Sequence, residues 1–236
     1  MVRDDTVMKA VPLWDLPTRL FHWALVVCLL ASWYFGENGP LRFHYISGLV
    51  IIGLLIFRLL WGLFGSPSAR FMRFIRHPRE AIAYMRAIHA RRPSYTFGHN
   101  AAGGLMVVAL ILIVALQAGT GLFSTDFDNF DGPLYHLVPG KVGDFLSSYH
   151  EFNFNLILGL AGLHILAILF YRFWKRENLV RAMITGRAIL PASVAEAVAT
   201  NGHLHWVPIW RAVLCAAIAA ILPIWIYLHF PLESTY

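Results

Sequence analysis

The chain has 236 residues, 58% of them hydrophobic and 14% charged, with a formal net charge of +6. A soluble globular chain carries about 25% charged residues, so lipid rather than water is the expected solvent for most of this one. There is no C-x-x-C-H, no G-x-G-x-x-G and no P-loop, which argues against covalent c-type haem attachment and against a nucleotide site of those kinds. No nucleic-acid partner is expected.

The N-terminus, MVRDDTVMKAVPLWDLPTRLFHW, is polar and runs into an apolar block without a small-residue cleavage pattern, so no cleavable signal peptide is expected. The apolar blocks then follow at residues 20–36, 43–64, 101–123, 152–171 and 212–232. Crossing a hydrocarbon core takes about 20 helical residues, and a segment in lipid must close its own backbone hydrogen bonds, so each block is predicted to be a membrane-spanning helix. Cys28 and Cys215 fall inside blocks one and five and read as small packing residues. The connector 65–98 is long, and PREAIAYMRAIHARRP within it predicts an amphipathic helix near 79–92. Ile82, Met85 and Ile88 recur at helical spacing there, among Arg79, Arg86, Arg91 and Arg92. Such a helix lies on an anionic membrane surface or serves as a solvated linker, and the sequence leaves both open.

Charge sets the expected orientation. The segment from Arg58 to His99 carries eight arginines and one acid, Glu80, and the segment from Arg172 to Arg211 is also basic. The intervening loop has Asp126, Asp128, Asp131 and Asp144 against Lys141. Lysine and arginine mark cytoplasmic loops, so a cytoplasmic N-terminus and a periplasmic C-terminus are predicted. The acidic loop is either an ordinary solvated loop or a surface that steers a basic partner.

Ionisable residues within membrane spans are costly and tend to be functional. His22 opens the first span, His44 opens the second, His150 opens the fourth, and His164 lies deeper in the fourth. Fourteen residues are almost four helical turns, so His150 and His164 share a face about 21 Å apart along the axis. That interval is too long for one metal and suits two cofactors stacked across the membrane. Depth pairs His44 with His150 and His22 with His164. Imidazole is an axial haem ligand, and facing helices of a bundle build such sites. Two imidazoles per iron leave no open position, which favours electron transfer over oxygen chemistry. Gly48, with Gly159 and Gly162, would let a flat macrocycle approach the helices. Phe21, Trp23 and Tyr45 would pack macrocycles or belong to the interfacial aromatic belt. Arg19, Arg42 and Arg58 are candidate partners for haem propionates, with snorkelling as the alternative. His99 would contact a propionate or a quinone, or cap the third helix.

The stretches VPLWDLPTRLFHW, FHYISGLVIIGLLIFRLLWGLFGSPSARF, GHNAAGGLMVVALILIVALQAGTGLF and YHEFNFNLILGLAGLHILAILFYRFWKRENLVRAMITG resemble the bacterial cytochrome b-561 family, which includes the b-type cytochrome subunit of nickel–iron hydrogenases. The resemblance implies an all-α, integral membrane four-helix haem-binding bundle over residues 1–186. Residues 187–236 then form a linker and a fifth transmembrane helix. It further implies two haems b, with ligands carried over onto His22, His44, His150 and His164, in a multi-pass protein of the bacterial inner membrane. Family members pass electrons between quinone and a periplasmic redox partner, so a c-type cytochrome or a hydrogenase is the expected partner, beside membrane lipid. A self-sufficient superoxide:quinone oxidoreductase is an alternative. So is a haem-free anchor or transporter, which the scarcity of charge deep in the spans disfavours. A homodimer is left open.

Overall fold

The computed structural model describes residues 7–89, 97–126, 130–200 and 206–230. Arg91, Arg92 and Asp128 lie outside the described residues. Among these residues five helices are long and apolar enough to cross a membrane. They are α1 (Leu16–Asn38), α2 (Leu41–Phe64), α5 (Ala101–Gly121), α6 (Gly140–Phe170) and α9 (Ile209–His229). The shorter elements are β1 (Met8–Pro12), α3 (Phe71–Phe74), α4 (Pro78–Arg86), α7 (Leu179–Thr185), β2 (Arg187–Pro191) and α8 (Ala192–Thr200). Among the described residues the fold is all-α apart from the two-stranded antiparallel pair β1–β2, in which Met8 faces Pro191 and Pro12 faces Arg187, and an isolated bridge between Thr125 and Asp131. Leucines such as Leu30 and Leu166 are 57% and 64% exposed. On a water-facing surface a band of such residues would be a liability; in lipid it is the required outer face.

The chain divides into two compact units. The first comprises Met1–Leu20, Leu59–Val108 and Gly162–Ala212, and the second Phe21–Arg58, Ala109–Ala161 and Val213–Tyr236.

In the first unit the start of α1 is fixed by Asp15. Its Oδ1 accepts from the Thr18 amide at 2.9 Å, and its Oδ2 accepts from the Trp61 indole at 3.1 Å. The carboxyl therefore caps α1 and ties it to the end of α2, with Pro17 in the first helical turn where its missing N–H costs nothing. Gly186 ends α7 at φ +77°, and a Cβ there would meet the Trp14 carbonyl at 2.8 Å. Its own carbonyl accepts from Leu13 and Trp14, so glycine is needed both for the left-handed turn and for the close approach. The Asn100 side chain caps α5 through the Gly103 amide at 2.8 Å and also donates to the Tyr171 hydroxyl at 2.7 Å. Tyr171 opens a π turn (Tyr171–Lys175) that ends at left-handed Arg176.

In the second unit Ile51, Leu55, Val114 and Ile157 form a core from α2, α5 and α6, with Cys28 and Leu29 of α1 against it. Helix α9 packs on α2. Ile226 is buried with Tyr45 and Leu49, Tyr45 donates to the Phe230 carbonyl at 3.1 Å, and a Cβ on Gly53 would touch the Pro223 ring at 3.4 Å. Tyr45 thus joins α2 to the fifth helix. Helix α6 begins twelve residues before the apolar block that announced it. Ser147 and Ser148 satisfy their hydroxyls on the carbonyls of Gly143 and Asp144, so the polar opening turns stay helical although hydropathy does not mark them.

Asp15→Ala removes the cap and the carboxylate that accepts from the buried Trp61 indole. A loss of about 2–3 kcal/mol is expected, read as a lower thermal midpoint of the detergent-solubilised protein. Asp15→Asn keeps an oxygen for the cap and should lose clearly less.

Candidate metal centre

The second unit brings together two of the four expected ligands. His44 lies in the first turn of α2 and His150 in α6, and their ring centres are 6.1 Å apart with planes crossed at 74°. Each ring is held from behind by a neighbouring helix. His44 Nδ1 is 2.8 Å from the Ser32 carbonyl of α1, and His150 Nδ1 is 3.0 Å from the Gln117 carbonyl of α5. A carbonyl only accepts, so both Nδ1 atoms carry the proton. In the neutral ring this leaves the lone pair on Nε2, the arrangement that a metal-ligating imidazole requires. The hydroxyls of Ser32 and Thr120 lie 3.3 Å from the same Nδ1 atoms.

Both carbonyls belong to membrane helices whose own ladder already uses them, so the imidazole must reach a second lone pair past the residue one turn on. In each case that residue is glycine. Gly36 follows Ser32 by four positions, and a Cβ on it would lie 2.9 Å from His44 Nδ1. Gly121 follows Gln117 by four, and a Cβ on it would lie 2.8 Å from His150 Cε1. Neither glycine is marked in the sequence as a neighbour of a histidine. Nor is Asn153, fully buried one turn along α6 from His150, whose amide donates to Gln117 Oε1 at 2.7 Å and to the Ile113 carbonyl at 3.0 Å. These bonds lock α5 to α6 beside His150. The only advance signal was a polar pair, Gln117 and Asn153, at the apolar depth of two spans.

The donor set fits haem. Two imidazoles on opposite sides of one metal, at nitrogen–metal bonds of about 2 Å, place their ring centres about 6 Å apart. Among the described residues no group of three or more metal-ligating side chains occurs. Two imidazoles alone suit a metal whose other ligands come with a macrocycle. Gly48, one turn beyond His44, has open space where a Cβ would stand, as does Gly159.

The remaining candidates are placed separately. His22 in α1 meets Trp23 edge-on at 5.0 Å, and His164 is half-buried on α6. They belong to different units. Arg42 is exposed and Arg58 is buried. Arg19 donates to the Ile184 carbonyl at 2.6 Å, while its Nε is buried without a hydrogen-bond partner among the described residues. His99 sits between the rings of Trp14 and Phe74, 4.7 Å from each, and its neighbour Asn100 does the capping.

The family model for prokaryotic cytochrome b561 matches residues 13–186. A curated relative from Rhizobium leguminosarum bv. viciae, described as a probable Ni/Fe-hydrogenase B-type cytochrome subunit, is 21% identical over 218 residues. The match covers 77% of this chain and 90% of that protein. No solved structure matches significantly.

Gly121→Ala should push the His150 ring from its seat and lower the haem-to-protein ratio measured as the pyridine haemochrome. Gly119→Ala, on the same helix with nothing within 4 Å of the added Cβ, should leave that ratio unchanged.

Proposed function

The chain belongs to the prokaryotic cytochrome b561 family and is a multi-pass membrane electron-transfer protein of the b-haem type; we propose that it holds two haems b and exchanges electrons between a quinone and a periplasmic redox protein. The observation that carries this reading is the facing pair His44 and His150, each with Nδ1 tied to a helix carbonyl and Nε2 left to ligate. His22 and His164, paired on their depth in the sequence, are assigned to the second haem.

Haem b supplies an iron that takes up and gives back one electron. The residues of the chain do the rest. His44 and His150 would hold the haem iron between two imidazoles, a ligation that suits electron transfer rather than oxygen binding. The carbonyls of Ser32 and Gln117 fix the tautomer and orientation of the rings and raise their basicity. Ile51, Leu55, Val114 and Ile157 keep water from the helix core of the same unit. Gly48 leaves room for a macrocycle, and Arg19, with its buried Nε unpartnered, is suited to a propionate. Arg42 and Arg58 are assigned the same role on position. His99, in its aromatic cage, is assigned to a propionate or to the quinone head.

The charge pattern supports a cytoplasmic N-terminus, a periplasmic acidic loop and residence in the bacterial inner membrane. Asp126, Asp131 and Asp144 on that loop suit a basic partner such as a c-type cytochrome. The name of the Rhizobium relative supports a hydrogenase as the alternative partner.

Reduced-minus-oxidised spectra of the purified protein should show a b-type α-band equivalent to two haems. His150→Ala should lose one haem and keep the other, which a redox titration resolves as the disappearance of one midpoint. A wild type without that band sinks the assignment, and a His150→Ala protein with both haems sinks the pairing.

A further inference from the structure

We infer that the segment from α3 to α4, with the cavity beneath it, binds the headgroup of an anionic phospholipid. The segment joins two spans, so both its ends are leashed to the same face of the membrane. Close contacts pin it there. A Cβ on Gly62, near the end of α2, would run into the Phe71 ring, and a Cβ on Gly104, in the first turn of α5, would fall 2.5 Å from the Phe74 carbonyl. Arg70 Nε donates to the Gly65 carbonyl at 2.8 Å. Helix α3 therefore sits against the ends of both spans, at the level where hydrocarbon gives way to headgroups.

Around it the chemistry is that of the interface. Met72 is 91% exposed, and Ile75, Ile82 and Met85 are each about half exposed. On α4 the inward position is taken by Ala81, which is buried, while the larger apolar side chains point out. Interleaved with them are Arg73, Arg76, Arg79 and Arg86, against one acid, Glu80. Exposed apolar side chains alternating with arginines are what an in-plane interfacial helix presents to anionic lipid. Beside α3 and α4 lies a cavity of about 890 Å³, lined by Arg73, Arg76, Glu80, Tyr84, Phe97 and His99 among others. Its arginines suit a phosphate diester. Its aromatic walls and the apolar surface outside suit the glycerol and acyl parts, which a free anion lacks. A zwitterionic lipid would bring a cation to a site already rich in arginine.

The test uses the purified holoprotein in neutral detergent, with lipid adducts counted by native mass spectrometry. Phosphatidylglycerol is compared with phosphatidylcholine of equal chain length. Wild type should bind phosphatidylglycerol at least about tenfold more tightly, and Arg73→Gln with Arg76→Gln should lose that preference, since each interfacial arginine contributes about a fivefold factor. Lys141→Gln with Arg181→Gln removes the same charge elsewhere and should keep the preference. Met72→Asp, at a fully accessible position, should weaken phosphatidylglycerol binding even if the double arginine variant does not fold. Equal binding of the two lipids overturns the inference. So does an equal loss in the Lys141/Arg181 variant, an unchanged preference in Met72→Asp, or full competition by inorganic phosphate.

Discussion

Two hydrogen bonds from imidazole to a helix carbonyl, at Ser32 and at Gln117, set what the second unit can do. A histidine inside a lipid-crossing bundle has two ring nitrogens, and either one left without a partner costs a desolvation penalty of about 1–3 kcal/mol. The carbonyl satisfies Nδ1 and so commits the proton there. Nε2 is then the nitrogen left to take a partner, which in the proposed reading would be the haem iron. Ring orientation and helix packing are therefore coupled, because the carbonyl that orients His44 belongs to α1 and the one that orients His150 belongs to α5. Both rings depend on a neighbour's helix staying in register, and the Asn153 side chain, holding Gln117 and the Ile113 carbonyl, keeps α5 and α6 in that register.

The glycines follow from this constraint. A helix carbonyl already engaged by the amide four residues on can accept a second donor only where the flank is open. The side chain at that same fourth position decides whether it is. Gly36 and Gly121 solve one steric problem on two different helices, and the near equality of the distances at which a Cβ would strike the rings, 2.9 and 2.8 Å, reflects a shared geometry. In the first unit Gly186 answers a different demand, a left-handed turn packed on the Trp14 carbonyl. Its position at the last residue of the family match means that the matched region ends on a defined helix stop.

Much of this was legible in the sequence because it rests on bulk chemistry. Five apolar blocks gave five long helices, since a backbone in lipid has few other choices. The histidines stand out because ionisable groups at that depth are rare, and the structure brings the rings of His44 and His150 within 6.1 Å of one another. What stayed hidden depends on partners distant in the chain. Gly48, Gly159 and Gly162 drew attention by lying near histidines in sequence, whereas the glycines that touch a histidine, Gly36 and Gly121, do so from across a helix interface. The β1–β2 pair has no apolar alternation long enough to announce it, and the indole that holds Asp15 belongs to Trp61, 46 residues away. His99 looked like a possible helix cap, and the adjacent Asn100, with a shorter amide side chain, takes that role.

The fifth helix lies beyond the family match, yet it is not a loose addition. Its Pro223 rests against Gly53, its Ile226 is 2% exposed against Tyr45 and Leu49, and the Phe230 carbonyl after its end accepts from the Tyr45 hydroxyl. All of these contacts fall on α2, and Tyr45 is the residue next to His44. Burying one face of α2 on α9 and the other on the Ile51–Leu55 core restricts rotation of α2 about its axis. A turn of α2 would carry the His44 ring away from the Ser32 carbonyl and from His150 together. A chain that braces α2 on both faces holds the imidazole pair at a fixed separation, and a fixed separation is what would let the proposed haem iron change charge with little rearrangement around it.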